Sequence, residues 1–274
     1  MPRELSPCAI AERSLIKTYR KTLWNPFIAA VKRYELIAPG DKIAVCISGG
    51  KDSIVLAKLM QELQRHTDHP FELVFLVMDP GYNPANRQLI EENAHRLEIP
   101  ITVFESNIFE VTTVVDRNPC YLCAKMRRGF LYSKAQEMGC NKIALGHHFD
   151  DVIETIMMSM LYGAEMRTMM PKLHSLNYPG MELIRPLYLV RERDISAWAR
   201  YNDLSFIRCA CSVSDKRENG SKRAEIKALL ETIRATNPQA DINIFRSAEN
   251  VNLETIIGYH KGDRTTTFLD TYDL

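Results

Sequence analysis

The amino-acid sequence predicts an α/β protein with a doubly wound parallel sheet. Short apolar runs alternate with longer stretches of helical periodicity, which is the pattern of successive β–α–β units. No hairpin signal joins one apolar run to the next, so the strands are expected to run parallel. Glycine, aspartate or histidine follows several of these runs, at the carboxyl ends of strands where such sheets bind ligands.

The order of the predicted elements follows from these periodicities. An amphipathic helix over residues 11–35 comes first, and Pro26 must bend or break it. Strands are then predicted at 43–47, 72–78, 101–104, 142–145 and 183–184, and helices at 54–63, 83–97, 121–138, about 151–162, 192–201, 216–236 and 241–250. We therefore expect an N-terminal helical segment (1–35), a main α/β domain (36–211) and a small helical C-terminal appendage (212–274).

The composition is that of a globular protein with ordinary charge. Of the 274 residues, 46% are apolar, which is enough for a packed core, and the net charge of +1 means that any nucleic-acid surface must be local. No apolar run approaches the roughly 18 residues of a transmembrane helix, and the first residues lack the apolar core of a signal peptide. These features predict a cytoplasmic protein without membrane attachment. In that compartment the seven cysteines, several in CxxC or CxC spacing, favour metal or redox chemistry over disulfides.

A phosphate-binding loop is predicted at residues 48–53, which read SGGKDS. Two glycines after a buried strand allow a tight turn that brings backbone N–H groups close to a phosphate. The helix that follows adds free N–H groups and the positive end of its dipole, while Lys51 adds a cation and Ser53 a hydroxyl. The turn is too short for the GxxxxGK[ST] loop of the usual nucleotide hydrolases. A Gly-Gly turn alone is more often structural, but the whole run after a buried strand favours phosphate binding.

Two pairs of closely spaced cysteines are candidate metal ligands. Cys120 and Cys123 open a predicted helix, where side chains three residues apart reach one metal ion or cluster. This pair alone fits a redox centre or chance equally well. Cys209 and Cys211 follow a predicted strand end at 205–207 on the same edge of the sheet, and three or four converging thiols suit zinc or an iron–sulfur cluster. The cysteines predicted to be structural are Cys8, Cys46 and Cys140.

Acidic and imidazole side chains follow the predicted strand at 142–145. Asp150 and Asp151 begin a predicted helix beside the phosphate loop, where carboxylates can hold Mg²⁺ or orient a nucleophile. The alternative is helix N-capping, which aspartate does well and which is sufficient to explain Asp150. We interpret His147 and His148 as hydrogen-bonding groups toward nucleotide or substrate in preference to metal ligands.

Basic residues form local clusters on this nearly neutral chain, at 13–21, 32–33, 125–134, 167–172 and 216–227. A charged helix face is usually only solvated. Several of these clusters flank the predicted nucleotide site, however, which favours a local RNA-binding surface. The residues assigned to that surface are Arg128, Lys172, Lys222 and Arg223.

Taken together and in this order, the motifs resemble the tRNA 2-thiocytidine synthetase family, a branch of the tRNA-thiolating pyrophosphatase-loop enzymes. The resemblance covers about residues 34–209. It is carried by SGGKDS at 48–53, Pro-Cys-x-x-Cys at 119–123, Arg-Arg-Gly at 127–129, KIALGHH at 142–148, Asp-Asp at 150–151, PKL at 171–173 and IRPL at 184–187. The uridine-thiolating branch carries paired-cysteine zinc fingers at both ends, and this chain has only Cys8 near its start and no cysteine after Cys211.

This resemblance implies an adenine nucleotide alpha-hydrolase-like fold and an enzyme that uses ATP and Mg²⁺. The enzyme is expected to adenylate a pyrimidine carbonyl of tRNA and to replace its oxygen with sulfur, forming 2-thiocytidine at position 32 and releasing AMP and pyrophosphate. The resemblance also implies an oxygen-sensitive [4Fe–4S] cluster, a homodimer, and a cysteine desulfurase or other sulfur donor. The implied cluster ligands are Cys120, Cys123 and Cys209.

The expected roles of the site residues follow from the same resemblance. The residues expected to bind ATP are Ser48, Gly49, Gly50, Lys51, Asp52, Ser53, Asp79, Gly146 and His147, with main-chain groups near Asp79 framing the adenosine. Lys51, Asp151 and Arg127 are the expected catalytic residues. Asp151 acts as a base or metal carboxylate, and Arg127 neutralises charge on the RNA or the adenylate.

Two departures from the family pattern leave alternatives open. The third cysteine site is Cys-x-Cys where the family often has Cys-x-x-Cys, so Cys211 is a spare thiol, a sulfur relay or another ligand. The sequence after Cys211 aligns with nothing in the resemblance, so the RNA and its modified base are less defined than the chemistry. One alternative is an enzyme with the same ATP chemistry that thiolates another tRNA base or modifies another acceptor. A second is a nucleotide-binding iron–sulfur sensor without turnover.

Overall fold

The central sheet has six strands, which are β1 (Lys42–Ile47), β2 (Glu72–Asp79), β3 (Ile101–Glu105), β4 (Lys142–Ala144), β5 (Lys172–His174) and β6 (Glu182–Ile184). They lie in the order β3-β2-β1-β4-β6-β5. The structure is a computed structural model that describes residues 5–106, 108, 119–207 and 222–273, and only the backbone of 119–124. All neighbours from β3 to β6 pair in parallel, which confirms the predicted doubly wound α/β fold.

The sequence contained no visible hairpin signal, and all strands were therefore predicted to be parallel. This prediction is wrong for the edge strand β5, which pairs antiparallel with β6. In the connection, Ser175 N donates to Met181 O at 2.9 Å, and Gly180 has a left-handed φ of +78°. Pro179 and Gly180 together are a turn signal. The signal was missed because β5 has only 3 residues, which is too short for a visible alternation.

The helices lie between and around these strands. They are α1 (Pro7–Ile16), α2 (Asn25–Arg33), α3 (Lys51–His66), α4 (Pro84–Arg96), α5 (Pro119–Glu137), α6 (Phe149–Gly163), α7 (Glu192–Tyr201), α8 (Lys222–Thr236) and α9 (Ala240–Ser247). The single helix predicted at 11–35 is therefore wrong: α1 and α2 are separated, with a π-helical turn at Arg20–Trp24 between them. Pro26 does not cause the break, because it lies in the first turn of α2, where a missing N–H costs nothing.

Two apolar cores cover the two faces of the sheet. Val45 of β1 packs with Ile54 and Trp198 in a core that joins α3 and α7, and all three are fully buried. Ala44, the preceding residue, points to the opposite face, where it packs with Ala135 of α5. This burial on both faces explains why β1 reads as a continuous apolar run.

A third core joins the C-terminal helices to α6. The ring of Phe149 on α6 stacks on Phe245 of α9 with centroids 4.8 Å apart, and Ile226 of α8 belongs to the same buried cluster. The prediction of a wholly helical C-terminal appendage needs correction, because β7 (Gly258–Lys261) and β8 (Arg264–Thr267) form an antiparallel hairpin there. The division at residue 211 stays a prediction.

Two further features of the chain bear on the predictions. Residues 205–207, which were expected to end a strand, have an irregular backbone. Among the described residues, none of the helices has the length and apolar character that are needed to cross a membrane.

Candidate active site

A cavity of about 540 Å³ lies at the carboxyl edge of the sheet, beside the ends of β1 and β4. After β1 the chain builds β2 and β3 on one side, and it then crosses to β4 on the other side, so the winding reverses here. Open α/β sheets bind ligands at such switch points. The residues that line the cavity are Cys46, Ile47, Ser48, Asp52, Ser53, Met78, Arg127, Arg128, Leu131, Leu145, Gly146, His147, Asp151, Met169 and Arg185.

The predicted phosphate loop forms one wall of this cavity. Ser48 N donates to Ser53 Oγ at 3.2 Å, and Ser53 Oγ donates to Gly50 O at 2.9 Å, so the loop is closed by its own hydroxyl. The following helix α3 already begins at Lys51. Residues 51–53 are therefore the first turn of the helix, whose N–H groups have no acceptor within the helix and can bind a phosphate.

The backbone at Gly49 is held in a conformation that only glycine adopts easily. Its φ is +81°, and a Cβ atom built there would lie 2.8 Å from both Ile207 Cδ1 and Ile90 Cγ1. Ile207 precedes Cys209 by two residues in the sequence. The chain that leads to the third predicted cluster ligand therefore packs directly against the phosphate loop.

Lys51 is held by two carboxylates. Its Nζ lies 2.9 Å from Glu192 Oε1 and 3.1 Å from Asp52 Oδ1. Burial alone would lower the pKa of Lys51, but Asp52 and Glu192 raise it above its ordinary value, so the ammonium group stays charged. Lys51 is not itself among the residues that line the cavity, whereas the cations Arg127, Arg128 and Arg185 are.

Asp151 and His148 fix the start of α6. His148 N donates to Asp151 Oδ2 at 3.0 Å, and Asp151 N donates to His148 Nδ1 at 3.4 Å, which together form a capping box. Asp151 Oδ1 lies 3.3 Å from Arg223. The carboxylate of Asp151 is thus oriented by the helix start, and it lines the same cavity as Asp52.

The suggested capping role of Asp150 is wrong, because His148 caps the helix. Asp150 Oδ2 instead accepts a hydrogen bond from Glu192 N at 2.8 Å, and Oδ1 pairs with Arg234 at 3.1 Å. The bond from Glu192 fixes the start of α7 next to α6. Asp150 therefore holds two helices of the site together.

The half-buried His147 and the buried Arg185 are neighbouring polar side chains on the cavity wall. Burial and the neighbouring Arg185 lower the pKa of His147 to about 4, so its imidazole is neutral at physiological pH. His147 Nδ1 and Arg185 Nε have no hydrogen-bond partner among the described residues. Burial also lowers the pKa of Arg185 to about 10, and its guanidinium donates to Met170 O. Both side chains can therefore bind a polar ligand.

The lowered pKa of His147 predicts a specific pH dependence of stability. Below about pH 6.5 the unfolded chain binds a proton at His147, whereas the folded protein does so only near pH 4. The free energy of unfolding should therefore decrease as the pH is lowered from 6.5 to 4, by on the order of 3 kcal/mol more in the wild type than in His147→Gln. Urea denaturation at several pH values measures this difference. The exposed His69→Gln is the control, and parallel curves for wild type and His147→Gln would contradict the prediction.

Asp79, which was predicted to bind ATP, makes its side-chain contacts with the segment that follows β2. Its carboxylate accepts hydrogen bonds from Gly81 N at 2.9 Å and Tyr82 N at 2.7 Å and pairs with Arg87 at 2.8 Å. Burial would raise the pKa of Asp79, but these donors lower it. Asp79 thus holds the loop after β2, while Met78 reaches the cavity.

Tyr82 is one of the site residues that the sequence analysis missed. Its hydroxyl donates to Ser48 O at 3.3 Å and accepts from Arg127 Nη2 at 3.2 Å. It therefore links the phosphate loop to the arginine that was predicted to be catalytic. Glu192 and Arg185 were also missed as site residues, although Arg185 lies in the IRPL motif and Glu192 begins a correctly predicted helix.

The cysteines fall into two groups. Cys8, Cys46 and Cys140 are buried and free, and burial raises the pKa of Cys46 to about 12, which disfavours a thiolate there. The side chains of Cys120 and Cys123, and all of Cys209 and Cys211, lie outside the described residues. Within the described part of the chain, no three His, Cys, Asp or Glu side chains form a metal-binding group.

The four predicted RNA-binding residues do not form one patch of free cations. Arg128 lines the cavity, but Arg223 pairs with Asp151 at 3.3 Å and with Glu154 at 2.8 Å. Lys222 Nζ lies 4.8 Å from the centre of the Tyr162 ring, and Lys172 Nζ donates to Glu35 O at 3.0 Å. Arg223 therefore contributes to the electrostatics of the site directly.

Comparison with known proteins gives consistent results. A PP-loop domain family model matches residues 25–226. The tRNA-cytidine(32) 2-sulfurtransferase of Geobacter metallireducens is 36% identical over 244 residues, which cover 86% of this chain and 91% of that protein. The protein of the same name from Methylobacillus flagellatus is 35% identical over 249 residues, covering 88% and 79%. Among solved structures, the U34-tRNA thiolase NcsA from Methanococcus maripaludis with its [4Fe–4S] cluster superposes with a TM-score of 0.66 at 22% identity, over 86% of this chain and 80% of that one.

The fold and the loop at its switch point define the class of this protein as an ATP-binding pyrophosphatase-loop protein. Within that class, the extent and identity of the sequence matches show that the chain belongs to the tRNA 2-thiocytidine synthetase family. The resemblance that the motifs indicated is thereby confirmed, and with it an enzyme of ATP-dependent tRNA sulfur transfer.

Proposed function

We propose that this enzyme converts cytidine 32 of tRNA to 2-thiocytidine with the use of ATP. The observation that carries the proposal is the cavity, in which the phosphate loop, the carboxylates of Asp52 and Asp151 and three arginines surround one space. N–H groups and cations suit the phosphates of ATP, and carboxylate oxygens are the ligands that Mg²⁺ prefers. The loop supplies the N–H groups for the phosphates, and Asp52 and Asp151 supply the carboxylate oxygens for Mg²⁺.

The proposed chemistry has two steps. The carbonyl oxygen of the base attacks the α-phosphorus of ATP, the bond to the β-phosphate breaks, and pyrophosphate leaves. A sulfur nucleophile then adds to the activated carbon, and AMP departs with the original oxygen. Lys51 and the N–H groups of residues 51–53 stabilise the charge on the leaving pyrophosphate, while Asp151 holds Mg²⁺ or accepts a proton.

The remaining cavity residues are assigned to the nucleotide and the base. Main-chain groups at the end of β2 and at Gly146 frame the adenosine. A Cβ at Gly146 would lie 3.1 Å from Ser53 N, so a side chain there would press against the first turn of α3. His147 offers a neutral imidazole, and Arg127 neutralises charge on the RNA or the adenylate. The assignments of Gly146, His147 and Arg127 are supported by their positions in the lining of the cavity.

We assign Cys120, Cys123 and Cys209 as the ligands of a [4Fe–4S] cluster. Positions 120 and 123 have the helical spacing that places them on one side of α5 together with Arg127, which lines the cavity. Ile207 packs at Gly49, so the chain approaches the same space just before Cys209. When it is bound, the cluster supplies a site for the incoming sulfur.

The substrate and partners complete the proposal. The base must leave its stack to enter the cavity, which costs less in an anticodon loop than in a duplex. Arg128, Lys172, Lys222 and Arg223 are the residues proposed to contact the RNA. A cytoplasmic homodimer that receives sulfur from a cysteine desulfurase is the proposed working state.

The test is a reaction of anaerobically reconstituted enzyme with tRNA, ATP and sulfide. Expected products are AMP, pyrophosphate and 2-thiocytidine, which chromatography and nucleoside mass analysis identify. Cys120→Ala, Cys123→Ala and Cys209→Ala should each lose iron and product, whereas Cys211→Ala and the buried Cys140→Ala should keep both. Formation of ADP alone would overturn the adenylation chemistry. Appearance of 2-thiouridine or 4-thiouridine in place of 2-thiocytidine would change the substrate and leave the chemistry intact.

A further inference from the structure

Glu192 joins the phosphate loop to the C-terminal helix α8. Its Oε1 lies 2.9 Å from Lys51 Nζ, and its Oε2 lies 3.2 Å from Lys227 Nζ. Lys51 begins α3 and Lys227 belongs to α8. One carboxylate therefore holds two ammonium groups that come from distant parts of the chain.

The position of this carboxylate is fixed by its backbone. Glu192 is the first residue of α7, and its N–H donates to Asp150 at 2.8 Å. Burial would raise the pKa of Glu192, but Lys51 and Lys227 lower it to about 2, so the side chain is ionised at physiological pH. A fixed, half-buried negative charge of this kind is stabilised by a cation beside it.

Each lysine also has a second set of partners. Lys51 is the cation of the phosphate loop, so the phosphates of ATP compete with Glu192 for it. Lys227 lies 3.6 Å from Glu154, whose buried carboxylate already pairs with Arg223 at 2.8 Å. Lys227 can therefore turn wholly to Glu192 without leaving Glu154 unpaired.

We propose that Glu192 is a positioning residue that gives up Lys51 to the phosphates when ATP binds and then pairs with Lys227 alone, and that it thereby couples the phosphate loop to α8. The inference rests on the proposed function, because it takes the triphosphate of ATP as the ligand of the loop. In the free protein Glu192 holds both lysines. In the complex Lys51 binds phosphate, Glu192 keeps Lys227, and α8 is held more firmly.

The exchange predicts coupled effects on ATP affinity, measured by calorimetry with Mg²⁺ and the α,β-methylene analogue of ATP on the full-length holoenzyme. Glu192→Gln should lower the Kd about fivefold, because Lys51 then leaves only one carboxylate, that of Asp52, when it turns to the phosphates. Lys227→Met should raise the Kd about fivefold, although Lys227 belongs to α8 and not to the phosphate loop. In the double variant the effect of Lys227→Met should disappear. Arg246→Met, an exposed cation of α9, is the matched control and should leave the Kd unchanged.

A second measurement reports the coupling itself. Addition of the analogue should slow amide hydrogen exchange in α8 of the wild type, and this protection should be lost in Glu192→Gln. Additive effects of the two substitutions, or equal protection of α8 in both proteins, would overturn the exchange. Failure of the wild type to bind the analogue at all would instead overturn the proposed function.

Discussion

Replacement of Lys51 with Met is expected to reduce the rate of AMP formation by about 10²–10³. In the proposed reaction, the loop that contains Lys51 holds the phosphates, and negative charge grows on the leaving pyrophosphate in the transition state. A methionine side chain of similar length keeps the packing and removes only the charge. Because the lost interaction is strongest in the transition state, kcat should fall more than KM rises.

The measurement is the initial rate of AMP release with saturating tRNA and sulfide. Lys17→Met, a substitution of the same kind at an exposed position, should leave the rate unchanged. Thermal unfolding of Lys51→Met should stay close to that of the wild type, which excludes misfolding as the cause. A loss of less than tenfold would show that the arginines in the cavity stabilise the leaving group without Lys51.

Gly49→Ala is expected to abolish ATP binding and to lower the free energy of unfolding by about 2–4 kcal/mol. Backbone strain and a steric clash both contribute to this loss of stability. The φ of +81° is unfavourable for alanine, and the new methyl group would meet Ile90 and Ile207 at 2.8 Å. Since Ile90 is fully buried, it cannot move aside without disturbing the core. The loop must therefore shift, and its N–H groups lose their alignment.

The chain contains a matched control for this substitution at Gly40. Its φ is +82°, nearly the same, but a Cβ there would have no atom within 4 Å among the described residues. Gly40→Ala should therefore cost only about 1 kcal/mol, from backbone strain alone, and should keep ATP binding. Equal losses in the two variants, by urea denaturation, would mean that the contact with Ile90 and Ile207 has no effect.

The parallel sheet could be predicted from the sequence because its strands are buried on both faces. A strand such as β1 has no polar alternation, so it stands out as an apolar run between turn residues. Helix α7 was predicted at 192–201 and lies there, since its first turn is acidic and its apolar positions recur at helical spacing. The short strands β5, β7 and β8 were missed because they are mostly exposed and carry no apolar run, whereas the equally short β4 and β6 are buried and do.

The candidate site was predictable only where one segment carries the chemistry. The phosphate loop is continuous in sequence, so its residue types and spacing were sufficient to predict it. The ion pairs around the loop could not be predicted, because Lys51 and Glu192 are 141 residues apart and no local pattern connects them. The capping of α6 by His148 could not be predicted either. Asp150 and Asp151 are common capping residues, and only the backbone geometry shows that the helix begins before them, with His148 as its N-cap.

The packing of α6 has a consequence for how this protein can be changed. Phe149, at its first turn, stacks on Phe245, and Asp151, in the same turn, lines the cavity. A chimaera that carries the C-terminal segment of a relative would therefore change the ring that packs on Phe149, two residues before Asp151. Such a segment can be exchanged without disturbing the cavity wall only together with the surface of α6 on which it packs.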